Sequence, residues 1–228
     1  MNKTFNLVLA FFLLSFAASS ATAKKSDPPE VSIEGLELVE KDRRGEIYAD
    51  PDADWAAYTQ VQLERASVAF RKNWKRDQNR YDPFKVKDRD VEKIKTDLSE
   101  LFNEVFTEEL SSDNGYTMVD STGEDVMTIG PQIVDLDVYA PDTFNRAGRS
   151  MSYTDKAGRM TLMLEIRDSV SGDLIAKMSH RQDAPRYGWA QWTTSVSNNA
   201  EARRMLQRWA KALRTRLDEA SGKAPSDG

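Results

Sequence analysis

The chain has 228 residues, of which 30% are charged and 39% hydrophobic, and its formal net charge is −5. This composition suits one globular domain with a modest core, and the acidic balance excludes the basic face that nucleic acid or anionic lipid would require. The lack of cysteine excludes a thiol nucleophile, a thiolate metal site, a disulfide and an N-terminal lipid anchor.

The N-terminal segment 1–23 has the features of a secretory signal peptide. Lys3 provides a positive charge, residues 7–18 form an apolar stretch of about a dozen residues, and Ala21-Thr22-Ala23 is a cleavage site of small residues. The segment is shorter than the ~20 apolar residues that span a bilayer. The sequence therefore predicts export, cleavage after Ala23 and a periplasmic or secreted product.

The remaining chain is predicted to contain one domain with a polar segment at each end. Residues 24–49 begin with a charged, proline-containing stretch and are predicted to be a flexible leader or an N-terminal arm. A single α+β domain is predicted over residues 50–220, followed by a disordered tail over residues 221–228.

Three aspartates near the start of this domain have the spacing of a calcium loop. Asp50, Asp52 and Asp54 alternate as such ligands do, but a calcium loop also needs a glycine at its sharp turn and a glutamate at its end. Neither follows at the required position. Turn formation is therefore favoured over a metal site, and no metal or other cofactor is expected.

Hydrophobic periodicity predicts the elements of the domain in chain order. Residues 58–70 alternate with a phase shift, which indicates one long strand with a bend or bulge, and the charged residues 71–87 indicate a loop. An amphipathic helix is predicted over Asp88–Leu110, with Asp88 as its N-cap. The later elements are four strands and a second helix: Tyr116–Asp120, Val126–Tyr139, Met160–Asp168, Leu174–His180 and Asn198–Ala220.

This order predicts an α+β fold. A mainly antiparallel sheet with two amphipathic helices packed on one face, a two-layer sandwich, buries both apolar stripes economically. The polar residues that alternate along the strands argue against a fully buried parallel sheet.

Five segments resemble, in the same order, the bacterial domain of unknown function 3313. They begin at Gly35-Leu36 and continue with YADPDADWAAYTQV, GPQIVDLDV, LMLEIRDSVSGDLIA and RWAKALRTRLDEA, so that the resemblance extends from about Gly35 to Ala220. It implies an exported envelope protein, many members being lipoproteins, and it implies no catalytic residue. This chain departs from those lipoproteins because it lacks the cysteine that would carry the lipid.

Two sets of residues could be catalytic. Asp135 and Asp137 are predicted to share one strand face, where they could form an acid/base pair or, as favoured here, ion pairs on a solvated sheet face. His180 is the only histidine, and the neighbouring Ser179 should lie on the opposite strand face. A structural or solvated histidine is therefore favoured over a catalytic triad, and no catalytic residue is assigned.

The most distinctive local cluster is aromatic. Arg186, Tyr187, Trp189 and Trp192 lie in a predicted loop between the last strand and the last helix. Aromatic faces with polar rims suit sugar rings or the centre of a protein interface. The alternative is a loop that closes one end of the core. These four residues are the candidate binding site.

The last predicted helix carries a row of basic residues that is most simply a solvated face, with partner docking as the alternative; the row is Arg203, Arg204, Arg208, Lys211, Arg214 and Arg216. No glycine-rich phosphate loop is present in the sequence. Nucleotide binding therefore has no support.

Together, these observations predict an exported, non-enzymatic envelope protein that acts as a periplasmic adaptor or binding module. The expected partner is another envelope protein. The alternative is a cell-wall glycan binder that uses Tyr187, Trp189 and Trp192, and a hydrolase that uses Asp135, Asp137 or His180 is the least favoured hypothesis.

Overall fold

The computed structural model describes residues 34–81, 85–138, 153–154, 158–183, 191–192 and 195–223. The predicted signal peptide and most of the aromatic loop lie outside these residues. Within the described part of the chain, no helix is long and apolar enough to cross a membrane.

The described residues form ten strands and three α-helices. The strands are β1 Glu37–Lys41, β2 Gly45–Ala49, β3 Gln60–Leu63, β4 Ser67–Phe70, β5 Thr117–Met118, β6 Val126–Val138, β7 Tyr153–Thr154, β8 Gly158–Asp168, β9 Leu174–Asp183 and β10 Gln191–Trp192. The helices are α1 Trp74–Tyr81, α2 Asp88–Ser111 and α3 Ser195–Ala220, and a short 3-10 turn occupies Trp55–Ala57.

Eight strands form one mixed sheet, and β7 pairs with β10 in a separate two-stranded sheet. Seven strands of the large sheet follow the order β1-β2-β9-β8-β6-β3-β5, and β4 also pairs with β6. The four pairs at one side of the sheet, β1 with β2, β2 with β9, β9 with β8 and β8 with β6, are antiparallel. Strands β3 and β4 run parallel to β6, and β5 runs parallel to β3. Strands β1 and β2, from the predicted N-terminal arm, extend this sheet at one end.

Strands β3 and β4 together are the predicted bent strand. Both pair with β6, and the chain leaves the ladder between them at residues 64–66. Side chains of α2 bind the freed backbone groups: Ser99 Oγ donates to the Ala66 carbonyl at 2.7 Å, and the Ala66 amide donates to Asn103 Oδ1 at 3.3 Å. The break is therefore a docking point for the helix.

The core lies between one face of the sheet and the two long helices. On β8, alternate residues are buried and belong to one apolar cluster with β6 and both helices. That cluster includes Leu162, Leu164, Ile129, Ile133, Phe102, Phe106, Leu206 and Trp209. The periodicity of 2 on the strands and 3.6 on the helices thus brings both apolar stripes to the same side.

The α+β class and the predominance of antiparallel pairing are confirmed, but the predicted number of helices is wrong. The segment 71–87 was expected to be a loop, and it contains α1. Helix α2 begins at Asp88, so its N-cap is Lys87 and not Asp88. Helix α3 begins at Ser195, three positions before the predicted start at Asn198.

Candidate functional site

Four charged side chains meet where β6 ends and β8 begins. We call this group, Arg71, Asp77, Asp137 and Arg159, the sheet-end cluster. Asp137 Oδ2 lies 3.0 Å from Arg71 Nε and 3.3 Å from Arg159 Nη2. Arg71 Nη1 also binds Asp77 Oδ2 at 2.8 Å. The cluster therefore joins β6, β8, α1 and the segment that precedes α1.

A bulge in β6 turns Asp137 toward the interior. The β6–β8 register shifts between Val134 and Asp137, and Asp135 lies in the left-handed region with φ 51°. As a result Asp135 is exposed while Asp137 is only 3% exposed. The prediction that the two aspartates share a solvated face is therefore wrong, because a bulge breaks the alternation on which it depended.

The end of β6 is also fixed through its backbone. Trp74 Nε1 and Gln78 Nε2, both on α1, donate to the Val138 carbonyl at 3.0 and 3.1 Å. Gly158 pairs with Val138 and has φ +148°, and a Cβ there would lie 2.6 Å from the Asp137 carbonyl oxygen. Val138 and Gly158, the residues on either side of the segment 139–157, are thus held firmly in place.

The electrostatics of the sheet-end cluster favour a structural anchor. Hydrogen bonds from Arg71 to Asp77 and, secondarily, to Asp137 raise the pKa of the Arg71 guanidinium, so this group stays charged. Oδ1 of Asp137 is buried and has no hydrogen-bond partner in the described part of the chain. A carboxylate held by two guanidinium groups and closed off from solvent is poorly placed for proton transfer to a substrate.

The small sheet places two aromatic residues beside each other. Trp192 on β10 and Tyr153 on β7 are direct Cα partners in an antiparallel pair. Four residue steps separate Thr154 from Gly158 on β8, and three separate Trp192 from Ser195 on α3. Fully extended, these links reach at most about 14 Å and about 11 Å. The aromatic pair is therefore tethered close to the sheet-end cluster.

Of the four predicted binding residues, only Trp192 belongs to a described element. Arg186, Tyr187 and Trp189 lie outside the described residues. Sequence reasoning missed Tyr153, which occurs alone in a polar stretch and gives no pattern. It also missed the sheet-end cluster, for which the one available signal was Trp74, a large apolar residue within a charged segment.

His180 is bound by a neighbouring side chain. Trp209 Nε1 donates to His180 Nδ1 at 2.9 Å, which occupies the nitrogen that a catalytic base would need to orient or use. Burial is the main cause that lowers the pKa of His180 below 6.5. This contact agrees with the structural interpretation favoured from the sequence.

The aspartates near the start of the domain form a turn. Asp50 Oδ1 accepts a hydrogen bond from the Asp52 amide at 2.9 Å, which is an Asx turn. Among the described residues, no three acidic or histidine side chains lie close enough together to hold a metal ion.

The basic residues of α3 mostly bind other parts of the molecule. Arg203 pairs with Glu104 on α2 at 2.8 Å, and Arg216 pairs with Glu40 on β1. Arg214 was predicted to lie on a solvated face, but it is 3% exposed and binds Asp218, itself 1% exposed. Most of the predicted basic row is nevertheless exposed, as expected, and the buried Arg214 is the exception.

The mixed sheet and the helices packed on it define an α+β domain. The chain belongs to the protein family of unknown function DUF3313, whose model matches residues 31–213. This confirms the resemblance found in the sequence.

Several solved structures share a distant likeness with this chain. A PelC dodecamer from Paraburkholderia phytofirmans is 9% identical over 72% of this chain and 95% of that chain, with a TM-score of 0.32. A DUF330 protein from Xanthomonas campestris is 11% identical over 85% and 94%, with a TM-score of 0.40. A PDZ domain protein from Parabacteroides distasonis is 10% identical over 80% and 36%, with a TM-score of 0.38. These TM-scores carry no argument about function, and a search of curated proteins finds no match.

Proposed function

We propose that this protein is a non-enzymatic adaptor or binding module of the cell envelope that acts through its aromatic segment. The observation that carries the proposal is the pairing of Trp192 with Tyr153 in a small sheet that is separate from the main one. Aromatic residues dominate the binding energy of many protein interfaces. A two-stranded sheet that carries two aromatic residues and is connected to a rigid domain is a suitable binding element.

The anchoring of this element supports the proposal. Asp137, Arg71 and Arg159 fix the base of the segment 139–157, and two side chains of α1 fix the last carbonyl of β6. A binding element mounted on a fixed base loses less conformational entropy on association than one on a flexible base. The cluster is thus a support for the binding element.

The non-enzymatic part of the proposal is supported by the two sets of candidate catalytic residues. Asp137 is buried and bound to two arginines, whereas Asp135 is exposed. His180 accepts a hydrogen bond from Trp209. A hydrolase screen of the protein and of a variant with all three residues replaced tests this part, and activity that the replacements abolish would refute it.

The location in the envelope is proposed from the N-terminal sequence. The signal-like segment 1–23 and the lack of cysteine favour a cleaved product in the periplasm or outside the cell, without a lipid anchor. N-terminal sequencing of the protein recovered from cell fractions tests this. The expected first residue is Lys24, and an intact Met1 in the membrane fraction would contradict the proposal.

The binding role is tested by crosslinking and co-purification of the tagged protein from envelope fractions. Joint replacement of Trp189→Ala and Trp192→Ala should abolish recovery of an envelope partner. The matched control is Val170→Ala, an exposed apolar residue at the opposite end of β8, about 35 Å along the strand. The proposal fails if the folded double variant recovers every partner that the control recovers.

A cell-wall glycan is the second candidate ligand, and the adjacent aromatic positions Trp192 and Tyr153 favour it. Sugar rings pack their apolar faces on aromatic side chains. Titration with soluble cell-wall glycan fragments should then quench tryptophan fluorescence in the native protein but not in the double tryptophan variant. Quenching that is equal in both proteins would eliminate the glycan hypothesis.

A further inference from the structure

Two side-chain hydrogen bonds join β9 to α3. Trp209 Nε1 donates to His180 Nδ1 at 2.9 Å, and Arg208 Nε donates to Gln182 Oε1 at 3.1 Å. Consecutive residues of the helix thus meet alternate residues of the strand, and alternate residues share one strand face. His180 and Gln182 are therefore the two points where polar side chains of β9 hold the helix.

Only one of these two contacts can titrate near neutral pH. The indole N–H of Trp209 is a donor and never an acceptor, so His180 Nδ1 must be unprotonated to receive it. The two rings meet edge to face, with centroids 6.3 Å apart and an interplanar angle of 88°. Protonation of Nδ1 would place two donors against each other and leave the N–H of the buried Trp209 without its acceptor.

The charged groups around His180 come from the β1–β2 hairpin and from α3. Burial is the largest influence and lowers the pKa of His180; Asp42 and Glu40 raise it, and Arg44 lowers it. From α3, Arg216 pairs with Glu40 and so weakens the effect of that carboxylate. The neighbour on β8 is Leu162, which carries no charge.

We propose that His180 and Trp209 form a proton-sensitive clamp that holds α3 against β9 while the imidazole is neutral and loosens when it takes up a proton. Burial lowers the pKa of His180 below its ordinary value of 6.5, so the clamp opens only at a pH below 6.5. The hydrogen bond from Arg208 to Gln182 does not involve the imidazole, so it continues to join the strand and the helix, and the loosening is local.

The position of the clamp gives it a consequence for binding. Strand β9 ends at Asp183 and α3 begins at Ser195, so the clamp joins the two elements that flank the segment with the candidate binding residues. This consequence rests on the proposed function, whereas the clamp itself does not. Acidification would then weaken partner recovery in the co-purification experiment.

Hydrogen exchange read by mass spectrometry tests the clamp without any partner. The full protein is labelled at about pH 7.5 and about pH 5, on either side of the ordinary histidine pKa, and rates are corrected for the intrinsic pH dependence. Peptides of α3 that contain Trp209 should exchange roughly tenfold faster at the lower pH. Peptides from α2 should show no corrected change, since α2 lacks this contact.

Two variants keep the test decisive. In His180→Gln the amide oxygen still accepts from Trp209 but takes up no proton in this range, so the acceleration should disappear. In Trp209→Phe the donor is lost, so α3 should exchange at the faster rate at both pH values. The proposal is wrong if the native protein shows no acceleration, or if His180→Gln or Trp209→Phe shows the same pH step as the native protein.

Discussion

At the scale of single residues, Gly158 occupies a position that no other residue fits. Its φ of +148° disfavours a side chain, and a Cβ would lie 2.6 Å from the Asp137 carbonyl oxygen. We expect Gly158→Ala to lower the free energy of unfolding by about 2–4 kcal/mol, since backbone strain and a steric clash add. Urea denaturation measures the loss.

Gly172 provides the matched control for that substitution. It also has a positive φ, +76°, but a Cβ there would meet no atom within 4 Å. Gly172→Ala should therefore lower the free energy of unfolding by only about 1 kcal/mol, from strain alone. Equal losses in the two variants would show that the contact with Asp137 is not tight.

Replacement of Asp137 should also lower the free energy of unfolding. Asp137→Asn leaves Arg71 and Arg159 without the carboxylate that they share. The loss of a buried ion-pair partner costs about 3–5 kcal/mol, and partial solvation of the two arginines should reduce this to about 1–3 kcal/mol. Chemical denaturation checks the value.

Asp183→Asn is the control for the Asp137 substitution. Asp183 pairs with Arg181 at 3.0 Å, but both side chains are largely exposed. Such surface pairs contribute about 1 kcal/mol or less. If both substitutions cost equally little, the sheet-end cluster is not the anchor described above.

At the scale of elements, Arg214 of α3 closes the C-terminal end of α2. Its Nη1 donates to the carbonyls of Glu109, Leu110 and Ser112 at 3.2, 3.2 and 2.9 Å, and its Nε binds Asp218. A guanidinium at this end also complements the negative end of the helix dipole. One buried charge thus fastens the two long helices together.

We expect Arg214→Met to cost about 3–5 kcal/mol, because Asp218 would remain buried without its partner and three carbonyls would lose a donor. Hydrogen exchange should rise first in the last turn of α2. Arg216→Met on the same helix removes an exposed pair with Glu40 and should cost less than about 1 kcal/mol. A small effect of Arg214→Met would contradict the proposed helix connection.

At the scale of the whole molecule, Tyr58 gives the fold an alkaline limit. Burial and a 3.1 Å hydrogen bond to Asp168 raise the pKa of Tyr58 from 10 to about 12. Because the folded-state pKa is raised, its stabilising contribution is complete below pH 10 and is lost as the pH rises to about 12.

The comparison of native protein with Tyr58→Phe isolates this contribution. The native protein should be the more stable of the two at about pH 9, and this advantage should fall steadily between pH 10 and about 12. Urea denaturation at several alkaline pH values measures it. An advantage that does not change with pH would mean that the Tyr58 hydroxyl ionises as readily in the folded protein as in the unfolded one.

The elements that could be predicted from the sequence are those with a strong hydrophobic periodicity. Helix α2 and strands β6 and β8 have long regular patterns, and their observed bounds lie within two residues of the predicted ones. Among the side chains of α1 that the structure describes, Trp74 is the one buried apolar residue and the others are polar or charged, so no apolar stripe marks this helix in the sequence. Alternation along a strand also leaves its partner undetermined, which is why the parallel pairings were not predicted.

The candidate site was harder to predict because its features arise from non-local contacts. The inward turn of Asp137 depends on a bulge that alternation does not encode. Arg214 and Asp218 are four residues apart, as in an ordinary solvated helix pair, and only the packing of α2 on α3 buries them. The aromatic residues were found by composition, but the pairing of Trp192 with Tyr153 requires two segments that are distant in sequence.

The direct pairing of Val138 with Gly158 makes this domain a ready acceptor for foreign sequences. Two residues in register across an antiparallel pair can be joined by a short turn, such as the dipeptide Asn-Gly that favours tight hairpins. Exchanging residues 139–157 for such a turn, or for an inserted peptide, would keep the pairing of Val138 with Gly158 but would remove β7 and with it Tyr153 of the candidate binding element. The same junction offers a site for displaying a peptide on a domain whose sequence contains no cysteine.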